Sequence, residues 1–200
     1  TVGNENYDMP PMPAGAKEGI LKGMYLFQPS AKKNHPLRAQ LLGSGAIIRE
    51  ALKAQEILDE KYNVAADVWS VTSYKELHRE ALDVERWNLL HPGEAPKVPF
   101  VTQCLSARPG VFVAVSDYVK TLPDSIAKWI PGPLHSLGTD GFGRSGGRAA
   151  LRDFFEVDAR HIVLATLSSL SKEKKIHMDL VQKAIKDMGI IPEKPNPLSS

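Results

Sequence analysis

The sequence has a single cysteine, Cys104. One thiol cannot close an internal disulfide, so the disulfide-stapled secreted scaffolds are excluded and a reducing, cytoplasmic setting is expected. No apolar run approaches the roughly 18–20 residues that a bilayer-crossing helix needs. The longest, 111–115 and 162–167, are strand- or core-sized. Charge of one sign is scarce as well: 25 Lys and Arg stand against 23 Asp and Glu, a formal +2. That balance supplies no global field for nucleic acid and no acidic tail, so neither nucleic acid nor membrane is an expected partner. The start of the chain lacks the basic-then-apolar order of a signal peptide. It also lacks an initiator methionine, and a segment of something longer is therefore expected. What is present is 42% hydrophobic residues over 200 positions, enough to bury a sizeable core without staples. The 15 Gly and 15 Pro slightly exceed average usage and fall in clusters.

Read along the chain, Thr1–Pro13 carries three prolines and no periodicity, as a linker or the end of a preceding domain would. Ala14–Gly23 reads as a short helix with Ile20 and Leu21 on one side, Met24–Gln28 as a strand, and Gln40–Leu42 as a short strand ending at Gly43-Ser44-Gly45. From there Ile47, Ile48, Ala51, Leu52, Ala54, Leu58 and Tyr62 recur at helical spacing, with Asn63 as a left-handed terminator. Asp67–Thr72 reads as the next strand of a βαβ unit, and Tyr74–Leu90 as a charged helix. Val98–Leu105 is β-like, Val111–Ser116 a strand buried on both faces, Tyr118–Ile130 a helix interrupted at Pro123, and Leu134–Leu137 a last strand. Three helices are expected near 147–155, 158–172 and 177–188, the last stopped by Gly189. This alternation predicts an α/β three-layer α/β/α sandwich with a mainly parallel sheet, in which the edge pair within 24–42 is antiparallel. The globular unit is expected over 14–192, with 193–200 as a tail.

Two constellations stand out. Gly43, Ser44 and Gly45 sit between a strand and a helix, where outward-pointing amides attract anions. The dinucleotide fingerprint would need a third glycine at Ile48 and an acidic residue ending the next strand, where Thr72 and Ser73 stand instead. The turn is thus either a plain tight turn or a small anion pocket. The second is Asp140, Gly141, Gly143, Arg144 and Ser145, in the densest glycine run of the chain. Neither kinase-type nor calcium-loop spacing is met. The expected reading is structural: Asp140 caps neighbouring amides, Gly141 and Gly143 supply unusual backbone angles, and Ser145 starts the helix after Gly147. Arg144 alone is positioned to serve a partner or a domain interface.

The remaining chemistry-bearing residues assemble nothing. The six histidines include no His-x-x-x-His pair, and Cys104 has no Cys or His at ligand spacing, so no metal is expected. Cys104 lies in an apolar run and reads as a small buried residue. Glu76, His78, Arg79, Glu80, Asp83, Glu85 and Arg86 read as a solvated or domain-contact face, with Trp87 and Trp129 as half-buried packing or interface anchors. No nucleophile, base and oxyanion site come together, and no catalytic residue is assigned.

Several strings taken together nonetheless have a family likeness. Asn4-Glu-Asn-Tyr7 with Met9-Pro10, Glu18–Tyr25, Leu41–Gly45, Ser70–Ser73, Glu85–Asn88, His91-Pro92, Val98–Phe100, Ser116–Tyr118, Leu137–Ser145 and Leu151–Asp158 follow one another in order. The sequence resembles in them the C-terminal, transketolase-like domain of the homodimeric bacterial pyruvate dehydrogenase E1 family. Its departures are Asp8 and Gly146-Gly147, positions given no role. The resemblance implies a five-stranded mixed sheet with one antiparallel edge strand. It also implies an enzyme whose intact form uses thiamine diphosphate and magnesium to decarboxylate pyruvate and pass the acetyl unit to lipoyl groups of dihydrolipoyl acetyltransferase. In that family the cofactor lies between the other two domains of opposite subunits, on a Gly-Asp-Gly…Asn motif absent from this sequence. The implied partners are the remaining E1 domains, the second E1 subunit and the acetyltransferase. Two other readings remain open: a free-standing module binding a small anion at Gly43–Gly45, and an acetyltransferase-docking domain.

Overall fold

A computed structural model describes residues 11–200. The strings at Asn4–Tyr7 and Met9-Pro10, and most of the expected linker, lie outside the described residues. The chain folds as α1 (Lys17–Lys22), β1 (Met24–Gln28), β2 (Arg38–Ser44), a 3₁₀ turn Gly45–Ile47, α2 (Ile48–Tyr62), β3 (Ala65–Val71), α3 (Tyr74–Leu90), α4 (Phe100–Leu105), β4 (Val111–Val115), α5 (Thr121–Asp124), a 3₁₀ turn Ala127–Trp129, β5 (Leu134–Leu137), α6 (Arg148–Phe154), α7 (Ala159–Lys172) and α8 (Met178–Asp187). The five strands form one sheet in the order β1-β3-β2-β4-β5. β1 runs antiparallel to β3, and the other pairs are parallel. The antiparallel edge strand is therefore where it was expected, but its partner is β3 rather than the sequence-adjacent β2. The connection Pro29–Leu37 carries the chain past β3 so that β2 can sit in the middle.

Each strand sends alternate residues to opposite faces, which divides the core in two. Ala39, Leu41, Ala66, Val68, Val111, Val113 and Val115 meet α2, α7 and α8 on one side. Leu42, Trp69, Val71, Phe112 and Ala114 meet α3, α4 and the segment around Ile126–Ile130 on the other. The result is the three-layer sandwich. α2 follows its sequence pattern, burying Ile48, Ala51, Ala54 and Leu58, and it ends at Asn63 with φ +50°. α7 is the most fully buried helix, and Asp158 caps it by accepting from the His161 amide at 3.1 Å.

Three expectations fail for local reasons. Val98–Leu105 is not a strand. The chain enters α4 at Pro99, whose fixed φ suits a helix start, and Val101 and Leu105, four apart, are the buried pair. Tyr118–Ile130 is interrupted as expected but not at Pro123, which sits inside the first turn of α5 (Thr121–Asp124), where a missing amide is tolerated; the break falls between that turn and the 3₁₀ turn Ala127–Trp129. Gly43 and Ser44 belong to β2 rather than to the turn after it. Cys104 is half-buried, and burial pushes its thiol up to about 11, as befits a packing residue rather than a nucleophile.

At the N-terminal ends of the parallel strands lies a closed polar network. Asp67 is fully buried in β3, yet its carboxylate accepts from Arg38 Nη2 at 3.0 Å, Gln40 Nε2 at 3.3 Å and the Ser30 amide at 2.8 Å. Gln40 in turn donates to the Pro109 carbonyl at 3.1 Å and accepts the Trp69 indole N–H at 2.8 Å. Two loops, around 30 and 109, are thereby tied to the sheet. A buried carboxylate is tolerated there because each of its neighbours is a donor.

Candidate functional site

β2 leads through α2 to β3 on one side of the sheet, whereas β4 leads to β5 on the other. The β2/β4 boundary is therefore a topological switch point, where open α/β sheets leave a crevice beyond the carboxyl ends of the strands. Such a crevice is present. A cleft of about 460 Å³ is lined by Ala46 and Ile47 after β2, Asp117 after β4, Thr139 after β5, and Gly143, Arg144, Gly146, Arg148, Leu151, Arg152, Phe155 and Val157 from the glycine-rich run and α6.

Its floor is stitched from loop to loop. Ser44 Oγ donates to Ser116 Oγ at 3.3 Å, and Ser116 Oγ accepts the Tyr118 amide at 2.9 Å. Thr139 Oγ1 donates to the Asp117 carbonyl at 2.7 Å, and the Thr139 amide to the Tyr118 carbonyl at 2.9 Å. Asp140 Oδ1 accepts the Lys120 amide at 3.0 Å, so Asp140 does cap an amide, one twenty residues distant. Gly45 opens the 3₁₀ turn at φ +54°, exposed, with Asp117 Oδ1 as the nearest atom to an added Cβ at 3.6 Å. Gly43 serves packing instead: a Cβ there would lie 2.9 Å from Ile48 Cα.

The wall is cationic. Arg152 Nη1 reaches Glu50 Oε1 at 2.8 Å with both side chains largely buried, Lys53 shares that oxygen at 3.0 Å, and Glu50 Oε2 accepts the Ala159 amide at 3.1 Å. Arg144 lies 5.0 Å from the Phe154 ring centre and is otherwise exposed. α6 holds Arg148 and Arg152, while Arg144 lies in the loop before it, and no residue of α6 is fully buried.

Of the residues singled out in the sequence, Gly45, Gly143 and Arg144 reach this cleft or its rim. Ser44 lies beneath it, and Ser145 is exposed. Gly141 has φ +96° and a close approach: a Cβ there would lie 2.3 Å from the Pro197 carbonyl oxygen, because the C-terminal residues cross it. Gly143 has no positive φ, and Gly147 rather than Ser145 caps α6, without a side-chain bond. Sequence reasoning missed Asp117, Thr139, Arg148 and Arg152. Arg148 and Arg152, four apart in the predicted helix near 147–155, were the available signal.

Elsewhere, Asp153, Asp158 and His161 bring three potential ligand atoms within 4.8 Å of one another. That space is taken by Arg160, whose Nη2 lies 2.5 Å from Asp153 Oδ1 and 2.6 Å from Asp158 Oδ2. Burial by itself would raise the Asp158 carboxyl, but hydrogen bonds from His161 and Arg160 hold it down at about 2.

A five-stranded mixed sheet of this order, layered between helices and with its crevice at the strand carboxyl ends, defines an α/β sandwich domain. The sequence matches the family described as the transketolase-like C-terminal domain over residues 23–158, and the chain belongs to it. The relatives are specific: it is 50% identical over 199 residues to the pyruvate dehydrogenase E1 component of Pseudomonas aeruginosa, covering 99% of this chain and 22% of that protein. It is 46% identical to the component of the same name in Escherichia coli K12, covering 98% of this chain and again 22% of the relative. The chain thus spans about a fifth of the length of these proteins. In fold it is similar to transketolase from Pichia stipitis, with a TM-score of 0.53 at 15% identity over 92% of this chain and 21% of that one. Transketolase from Leishmania mexicana gives 0.51 at 17% identity over 78% and 19%. Among the described residues no helix is long and apolar enough to cross a membrane.

Proposed function

We propose that this chain is the C-terminal domain of a pyruvate dehydrogenase E1. In this reading it serves as a structural and subunit-contact domain of an enzyme that, when whole, performs thiamine-diphosphate-dependent oxidative decarboxylation of pyruvate and acetyl transfer to lipoyl groups. The observation that carries the reading is identity of 43–50% across essentially all of this chain with proteins of that name. The unit is taken as 14–192, with 193–200 as its tail. Partners in this reading are the other E1 domains, a second E1 subunit and the dihydrolipoyl acetyltransferase, in the cytoplasm.

Thiamine diphosphate would supply the carbanion-stabilising chemistry of the whole enzyme. The cleft residues do not fit that cofactor with its magnesium, which needs oxygen ligands. The lining offers three guanidinium groups and the single carboxylate of Asp117. No step is therefore routed through this domain, and the cofactor's place is in the remainder of the enzyme.

Isothermal titration of this chain with thiamine diphosphate and magnesium tests the division of roles. The expected result is no binding heat; micromolar affinity would overturn it. The reading frame upstream of Thr1 tests the family role independently, since a Gly-Asp-Gly…Asn motif is expected there.

A further inference from the structure

We propose that the pocket at the amino ends of β2, β3 and β4 is a binding site for a small phosphate monoester with a hydroxylated body. It lies at the opposite end of the strands from the crevice at their carboxyl ends. Its volume, about 500 Å³, is in the range of small-molecule pockets. Lys33, Arg38 and Arg108 line it against a single carboxylate, Asp67. That carboxylate is fully buried and already accepts from the Ser30 amide, Gln40 and Arg38, with Arg108 Nη1 3.7 Å away. One negative charge is thus spread over two guanidinium groups, and Lys33 is left over. Lys33 is exposed and, among the described residues, forms no ion pair. Its neighbour Lys32 shows the contrast: Nζ is tied across the end of α2 to Asp59 Oδ1 at 2.7 Å and Asn63 Oδ1 at 2.9 Å. Asp59, across the Pro29–Ser30 corner, is therefore already engaged and does not offset the pocket's charge.

The groups are held in place before any ligand arrives. Arg38 donates from Nη1 to the Lys32 carbonyl at 2.8 Å and from Nη2 to Asp67 at 3.0 Å, which fixes its plane and leaves N–H groups to spare. Arg108 lies 5.9 Å from the Trp69 ring centre and is partly exposed. The two guanidinium forks match phosphate oxygens in pairs, and Lys33 adds a point charge, so the excess suits a dianion. The rest of the lining selects the body. Ser30 Oγ accepts the Lys32 amide at 3.1 Å and keeps its own proton to donate, and exposed Asn34, at φ +56°, adds an amide. His35 is held through Nδ1 by the Leu37 backbone, which leaves Nε2 as its remaining polar atom. Apolar lining is confined to Pro29, Ala107 and Pro109, so hydroxyl groups are matched better than an aromatic ring.

The test is calorimetric titration of the chain with glucose 6-phosphate, beside glucose, inorganic phosphate and phenyl phosphate, at low and high salt. Glucose 6-phosphate is expected to bind at one site per chain, at least about tenfold more tightly than the other three, and more weakly as salt rises. The double variant Lys33→Gln/Arg108→Gln is expected to lose at least tenfold in affinity, and so is the pocket-filling Ala107→Trp. Ala107 is exposed, so the second variant keeps its urea midpoint even where removing Arg108 loosens the Asp67 network. Lys183→Gln/Lys186→Gln on α8, equal in charge change and outside the pocket, is expected to bind as the parent does. Binding that persists in both pocket variants, or that falls equally in the α8 variant, overturns the proposal. No saturable binding overturns it too, and inorganic or phenyl phosphate binding as tightly as glucose 6-phosphate overturns the assignment of the body. None of these outcomes touches the family role, which rests on sequence identity.

Discussion

At the amino ends of the parallel strands, Arg38 and Gln40 are locked onto the buried carboxylate of Asp67, and Trp69 and the loops around 30 and 109 are tied to the same network. At the carboxyl ends, Arg144, Arg148 and Arg152 line an open cleft with one carboxylate, beside α6, whose residues are all at least partly exposed. The first arrangement uses polar groups to fix loops in a protein interior, where every donor must find an acceptor. At the second, Arg152 is likewise engaged, by Glu50, while Arg144 stands exposed beside Phe154. Asp67 and Gln40 are thus fully enclosed at one end of the sheet, whereas Arg144 at the other is exposed.

The comparison breaks most visibly if the closed end is not structural. Asp67→Ala leaves Arg38 with an uncompensated charge in a largely buried position, and the expected loss of stability is about 3–5 kcal/mol in urea unfolding. A loss below about 1 kcal/mol would mean that the network is incidental. Beneath the open end, Asp158 carries the next largest effect. Its carboxyl lies at about 2 in the folded chain against an ordinary 3.8, so its contribution is fully present above pH 3.8 and fades as pH falls through 2. Asp158→Asn is therefore expected to cost about 2 kcal/mol at pH 6, with the gap from the parent closing progressively below pH 4. An equal gap at pH 6 and pH 2.5 would contradict the assignment of this shift to the folded state.

Gly45→Ala sharpens the comparison further. Space is available there, so the cost is backbone strain at φ +54° alone, about 1–2 kcal/mol. A loss as large as that of Asp67→Ala would show hidden packing at the turn. The smallest effect belongs to Arg144→Gln, expected within about 0.5 kcal/mol of the parent because the side chain is exposed, its contact being with the Phe154 ring.

The apolar half of this structure was legible in the sequence because period and type agree. Ile48, Ala51, Ala54 and Leu58 mark α2, and Val111–Val115 marks a central strand. Segments where proline sets the geometry were misread: the β-like composition of Val98–Leu105 outweighed the helix start at Pro99. The closed polar network was invisible, since Gln40 meets Asp67 and Trp69, 27 and 29 residues away, only through the β2–β3 register. The cleft was half legible. Gly45 and Arg144 drew notice by type, but Asp117 and Thr139 matter only because strand order brings three loop ends together.

The central claim, that this domain contributes contacts rather than chemistry, is tested most directly on the whole enzyme with and without residues 14–200. Sedimentation mass and acetyl transfer to lipoyl groups would be followed together, alongside decarboxylation of pyruvate with an artificial electron acceptor. The account predicts that the shortened enzyme loses its two-subunit mass, with activity falling in proportion and recovering when high protein concentration restores the dimer. A shortened enzyme that stays dimeric yet cannot turn over pyruvate at any concentration would contradict it, because the domain would then carry chemistry of its own.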